Sequence, residues 1–271
     1  MSKSSPGMIW LRIASAAIGI PLLLLIIWLG NPVFSIVVGA AAIWGGVEFY
    51  GMAARAGYAP LRALGLLFIL LSAGNAYYDG AYSLPLVTAA AILSLVLLLF
   101  RQNIEHALVD WAITLAGVIY TGWLLCHFIL LGRLQNYGMA LVLTALLATF
   151  AIDTAAFIVG STMGRHRLAP RISPGKTWEG SIGGFVGGVV AVVILASLLN
   201  LPLDWFQSIA LGALVGILAQ VGDLVESLLK RSTNVKDASA IIPGHGGLLD
   251  RADSLIFSVV VVYYYAIWII K

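Results

Sequence analysis

Between residues 220 and 253 the chain reads QVGDLVESLLKRSTNVKDASAIIPGHGGLLDRAD, and a third of its charged side chains are crowded there. Five acids (Asp223, Glu226, Asp237, Asp250, Asp253), four bases (Lys230, Arg231, Lys236, Arg251) and His245 occupy this stretch, in a chain that is only 10% charged. Asp223, Glu226, Ser227 and Lys230 stand at i, i+3, i+4 and i+7, so they share one face of a helix. Asp250 and Asp253 share a face in the same way. Carboxylates at the ends of two helices joined by a returning loop suit a hard cation such as Mg²⁺, which takes few protein oxygens and lets phosphates complete its shell. The competing reading is a salt-bridge network in which these acids neutralise Lys230, Arg231, Lys236 and Arg251. Pro243-Gly244-His245-Gly246-Gly247 tips the balance toward the first. Successive amides in a glycine-rich turn ahead of a helix make an anion-binding concavity.

A second polar stretch, RISPGKTWEG at 171–180, offers Ser173, Lys176 and Thr177 ahead of a helix that begins at Trp178 and Glu179. Ser173-Pro174-Gly175 reads as a turn, and Lys176 as a point charge for a phosphate. The GxxxxGK[ST] spacing of a Walker loop is absent. Asp153, in FAIDTAAFIVG, is the one carboxylate deep in an apolar run. A proton shuttle, a cation ligand and a partner for Lys176 all remain open for it. Glu48, His106, Asp110 and His127 stand singly and read as structural.

The elements that must position these residues are membrane helices. The chain is 61% hydrophobic, and its apolar runs of about twenty residues match a hydrocarbon core of roughly 30 Å. Soluble domains carry about 25% charged residues, far more than this chain. The fold class expected is all-α: a polytopic membrane protein with nine spans, at 8–29, 33–54, 61–78, 84–100, 107–131, 138–162, 179–200, 206–229 and 252–270. The segment after Lys3 is long for a signal peptide and other spans follow it, so it reads as a retained first helix. A single integral membrane domain over 1–271 divides into a scaffold at 8–131 and a catalytic part at 138–271. With the N-terminus inside, nine spans place nearly every loop base on the cytoplasmic side, leaving Arg133 and Lys271 outside. Both polar stretches then face the cytoplasm. The net charge of +3 is spread over loops between spans, which argues against nucleic acid as a partner. Cys126 is the only cysteine, so no intrachain disulfide is available. Gly180, Gly184 and Gly188, with Gly183 and Gly187, recur at four-residue spacing. Such a face lets helices approach closely, inside one chain or between the two copies of a homodimer.

The run Ser227-Leu228-Leu229-Lys230-Arg231, then Lys236-Asp237, Ser239, Pro243, His245-Gly246-Gly247 and Asp250-Arg251-Ala252-Asp253, resembles the signature of the phosphatidate cytidylyltransferases, also called CDP-diacylglycerol synthases. SPGKTWEG and Asp153 with Gly160 look like further family elements. The match departs at Ala252, where the family takes a larger aliphatic residue or Thr, which bears on local packing. The resemblance implies transfer of a cytidylyl group from CTP to phosphatidic acid, a membrane lipid, giving CDP-diacylglycerol and pyrophosphate for phospholipid synthesis. It implies Mg²⁺, with a second cation left open, and Asp223 and Asp250 as the metal-binding carboxylates. Lys176, Lys230, Arg231, Lys236 and Arg251 would hold phosphates, and His245, Gly246 and Gly247 would line the nucleotide end. Asp153, Asp237 and Asp253 would orient bases or complete the metal shell. The expected location is a bacterial cytoplasmic membrane, with the active site facing the cytoplasm. An ion-coupled transporter using Asp153 and Asp223 is the main alternative, but no internal repeat supports it. A CDP-alcohol phosphotransferase would need a DG-then-AR pattern, whereas Asp79-Gly80 continues into Ala81-Tyr82-Ser83.

Overall fold

A computed structural model describes residues 17, 19, 21–239 and 246–270. Residues 21–29 are helical. After them come α1 (Val33–Arg55), α2 (Arg62–Tyr77) and α3 (Ser83–Leu98). Helix α4 runs over Ala107–Gly132 with a π-helical turn at Val118–Leu124. It is followed by α5 (Gly138–Met163), a hairpin of β1 (Arg167–Ala169) and β2 (Ser173–Thr177), α6 (Trp178–Leu198), α7 (Trp205–Ser232) and α8 (Leu249–Ile270).

Among the described residues six helices are long and apolar enough to cross a membrane: α1 and α4–α8. Helices α2 and α3 are apolar but only 16 residues long. At about 1.5 Å per residue each spans about 24 Å, short of a roughly 30 Å hydrocarbon core. Half of the expected first span lies outside the described residues. The all-α expectation needs one amendment, the antiparallel hairpin that pairs Arg167 with Thr177 and Ala169 with Ser173. Ser173-Pro174-Gly175 is therefore strand rather than turn. Pairing with Arg167–Ala169, which residue types do not announce, outweighs the turn preference of Pro and Gly.

Local chemistry sets the helix starts that matter for the site. Thr177 caps α6, its hydroxyl accepting from the Gly180 amide at 3.1 Å. Asp204 and Gln207 form a reciprocal capping box on α7, at 2.8 Å and 3.0 Å. Helix α6 turns its small residues inward. A Cβ on Gly180 would stand 2.8 Å from the Ala156 carbonyl oxygen of α5, and one on Gly188 3.2 Å from Cα of Gly216 on α7. Ile182, Val186, Val190 and Ile194 are exposed on the opposite face. The glycine stripe is thus spent inside the chain, where it draws α5, α6 and α7 close together. At the far end, Arg133 meets Asp79 at 3.3 Å.

This packing makes a stability prediction. Gly180→Ala should cost about 1–3 kcal/mol through overpacking against the α5 backbone. Gly74→Ala, where a Cβ meets nothing within 4 Å, should be neutral or mildly stabilising. Thermal unfolding of both variants in detergent checks this, and equal melting temperatures would contradict the packing.

Candidate active site

Helix α7 and strand β2 bring the two polar stretches together. Asp223 Oδ2 lies 2.7 Å from Lys176 Nζ. Arg231 adds a second tie, donating from Nε to the Ile172 carbonyl at 3.3 Å. Beside the Lys176–Asp223 pair opens a cavity of about 840 Å³, walled by α5, the hairpin, α6 and α7. Asp153, Phe157, Arg167, Lys176, Gln220 and Asp223 are among its lining residues. Charge, an amide side chain and an apolar wall therefore meet in one pocket at the end of the bundle.

Further along α7, Lys230 sits between two acids. Its ammonium pairs with Glu226 one turn back and with Asp250 Oδ1 of α8 at 2.6 Å. Asp250 Oδ2 accepts from the Gly247 amide at 2.7 Å and the Ala238 amide at 2.9 Å. The Glu226 side chain is 1% exposed and that of Asp250 6%. For these three residues the structure builds the salt-bridge network. Such pairing is what buried charge requires, because an ion stripped of water and counter-charge costs several kcal/mol.

Asp223 and Asp250 are therefore each held by a different lysine. Asp153 and Asp223 line the cavity, and their charges and that of Asp253 act on one another, with Lys176 and Arg251 offsetting Asp153. Among the described residues no group of three or more His, Cys, Asp or Glu is gathered to hold a metal. Asp250, with its side chain 6% exposed and away from the cavity lining, is poorly placed for a metal there. Asp223 does fit: its side chain is 30% exposed and lines the cavity. Mg²⁺ needs only one or two carboxylates when phosphates supply other oxygens.

The other expected residues are distributed around this core. Ser227 donates to Asp223 Oδ1 at 3.5 Å. Asp253 Oδ1 accepts from the Ser254 amide at 2.6 Å. Thr177 is committed to capping α6, and Ser173 to the hairpin. Lys236, Asp237 and Arg251 are exposed. Gly246 takes a φ of 80°, and a Cβ there would press on Asp250 Oδ2 at 2.8 Å, so this turn requires glycine. Ala252, the departure from the family pattern, is buried in α8. His245 lies outside the described residues.

Three residues near the site escaped the sequence reading, and a fourth, Glu48, was read as structural. Arg167 and Gln220 line the cavity. Gln220 carried a signal, standing three residues before Asp223 on the same helix face. Tyr120 lies in the π-turn of α4, with a buried hydroxyl that has no hydrogen-bond partner among the described residues. It is close enough to Glu226, Asp253 and Asp223 to feel their charges. Nothing in the VIYTGWL run announces it. Glu48 of α1 reaches the site from the opposite half of the chain, and its contacts are taken up below.

The class defined so far is a helical membrane protein with one end polar, where a basic and an acidic segment flank a large cavity. The model of the cytidylyltransferase family matches residues 10–269, and the chain belongs to that family. A phosphatidate cytidylyltransferase of Synechocystis is 34% identical over an alignment covering 94% of this chain and 96% of the relative. One from Bacillus subtilis is 40% identical over 56% of each chain. A chloroplastic phosphatidate cytidylyltransferase of Arabidopsis thaliana is 31% identical, over 88% of this chain and 67% of its own. Membership of a family of transferases sets the transporter reading aside.

The two lysines should behave differently when neutralised. Lys230→Met strands two acids that are almost fully buried, so it should cost about 3–5 kcal/mol. Lys176→Met removes a pair at the cavity wall, where a partly exposed ion pair contributes about 1 kcal/mol or less. Chemical or thermal unfolding in detergent measures both, and equal losses would contradict the distinction.

Proposed function

We propose that this chain transfers the cytidylyl group of CTP to phosphatidic acid at the cytoplasmic membrane face, releasing pyrophosphate and CDP-diacylglycerol. The observation that carries the reading is the Lys176–Asp223 pair on the wall of a cavity lined by both charged and apolar side chains, in a chain of the cytidylyltransferase family. An oxygen of the lipid phosphate forms a bond to the α-phosphorus of CTP while the bond from that phosphorus to the β-phosphate oxygen breaks. The attacking oxygen is already anionic, so no activated serine or cysteine is required. The work left to the protein is to hold two anions in line and neutralise them.

Lys176 and Arg167 supply fixed positive charge on the cavity wall, within reach of phosphates placed there. Phe157 offers an apolar wall against which an acyl chain can lie. We place Mg²⁺ on Asp223, with Asp153 and Asp253 as neighbouring acids, where it would supply Lewis-acid neutralisation of the triphosphate. The Lys230–Glu226–Asp250 network holds the ends of α7 and α8 in register, so Asp250 serves this reaction by position.

Purified protein should release pyrophosphate from CTP only when phosphatidic acid and Mg²⁺ are both present, and a chain inert in that assay would sink the proposal. Asp223→Asn should reduce turnover by about a hundredfold or more, in the range of a lost electrostatic contact at a reacting centre, while unfolding at the wild-type temperature. Ser232→Cys should label only from the cytoplasmic side, with the buried Cys126 unreactive. Labelling from outside would overturn the sidedness.

A further inference from the structure

Glu48 is 3% exposed on α1, in a helix otherwise remote from the chemistry. Among the described residues its carboxylate accepts three hydrogen bonds, each from the far end of the chain. Ser239 Oγ donates to Oε1 at 2.6 Å, the Leu248 amide to Oε1 at 3.0 Å and the Leu249 amide to Oε2 at 2.8 Å. Leu249 opens α8, so Glu48 satisfies donors at that helix's start and sets negative charge against its positive end. Seven residues on and nearly in line along α1, Arg55 donates to the Ala238 carbonyl. A Cβ on Gly247 would stand 2.7 Å from Glu48 Oε2, so a side chain there would push the carboxylate off these donors.

Asp250 grips the same two backbone segments, through the amides of Ala238 and Gly247. Segments 238–239 and 247–249 are therefore stapled twice, by Glu48 and by Asp250. Charged acceptors make the stronger class of hydrogen bond, and the amides released by losing one would be left buried and unpaired.

We infer that Glu48 is a positioning residue for the reaction: a carboxylate supplied by the N-terminal half that clamps Ser239 to Leu248 and Leu249 and thereby fixes the start of α8, whose Asp253 stands beside the metal and triphosphate of the proposed reaction. The inference rests on the proposed reaction for its kinetic consequence and on hydrogen-bond geometry alone for the clamp. It deepens that reading by giving α1 a part in it.

Two measurements on one variant, Glu48→Gln, test it. The substitution keeps the side chain's size and one acceptor oxygen. Amide hydrogen exchange of the peptide covering 246–252 should be about tenfold faster than in wild type, with exchange in α5 and α6 unchanged, because local opening scales with the bonds lost. Kinetically, KM for CTP should rise about tenfold while KM for phosphatidic acid stays within about twofold, the signature of damage confined to one substrate's side. Ser239→Ala, which removes one of the three donors, should move both readouts the same way by a smaller factor and guards against a variant that fails to fold. Unchanged exchange in 246–252 would overturn the clamp. A fall in kcat with both KM values unaltered would mean fewer folded molecules and would overturn the positioning role. If the wild-type chain does not turn over CTP with phosphatidic acid, the reaction reading fails, and the exchange comparison still decides the clamp by itself.

Discussion

The structure depends on the energetics of placing charge beside a bilayer. The ammonium of Lys230 touches Glu226 and Asp250, and none of the three is tolerable there alone. Because Asp250 also holds the Ala238 and Gly247 amides, satisfying the charges fixes the backbone as well. The end of α7, the start of α8 and the two segments between them become one object. On this account the two acids expected on a metal, Asp223 and Asp250, divide their labour. Asp250 holds the frame, while Asp223, paired to Lys176 and open to the cavity, is left to meet substrate.

That division requires three helices to come close without filling the space between their ends. The inward glycines of α6 let α5 and α7 approach to backbone contact, and the large side chains of the same helix point outward. Association in lipid runs on such packing rather than on hydrophobic exclusion of water. The result is that Asp153 from α5 and Asp223 from α7 face one cavity, with the hairpin delivering Arg167 and Lys176 to its wall. Small residues in the span and charged residues at its end are parts of one construction.

What could be read from residues alone follows from the range of the signals. The described helices lie within a few residues of expectation because local chemistry marks their ends: Thr177 at α6, and Asp204 with Gln207 at α7. The helical face of Asp223, Glu226 and Lys230 was legible for the same reason. The hairpin was not, since Ser173-Pro174-Gly175 carries turn-forming residues and its pairing with Arg167–Ala169 is set by tertiary contact. Spacing placed Asp250 and Asp253 on one helix but did not say which neighbours each would find, so Asp250 was expected on a metal and is found between a lysine and two amides. Glu48 is the extreme case. Its donors stand about two hundred residues away in sequence, beyond any local pattern, although a lone acid in an apolar helix was itself a signal.

The central claim is that the chain joins a lipid phosphate to the α-phosphorus of CTP, and the fate of isotope tests it most directly. Protein reconstituted in vesicles containing phosphatidic acid would be supplied with Mg²⁺ and CTP labelled at either the α- or the γ-phosphorus. The account predicts that α-label enters the organic, lipid-soluble phase while γ-label stays aqueous as pyrophosphate. Label from the γ-position in lipid, or release of pyrophosphate at the same rate without phosphatidic acid, would contradict it.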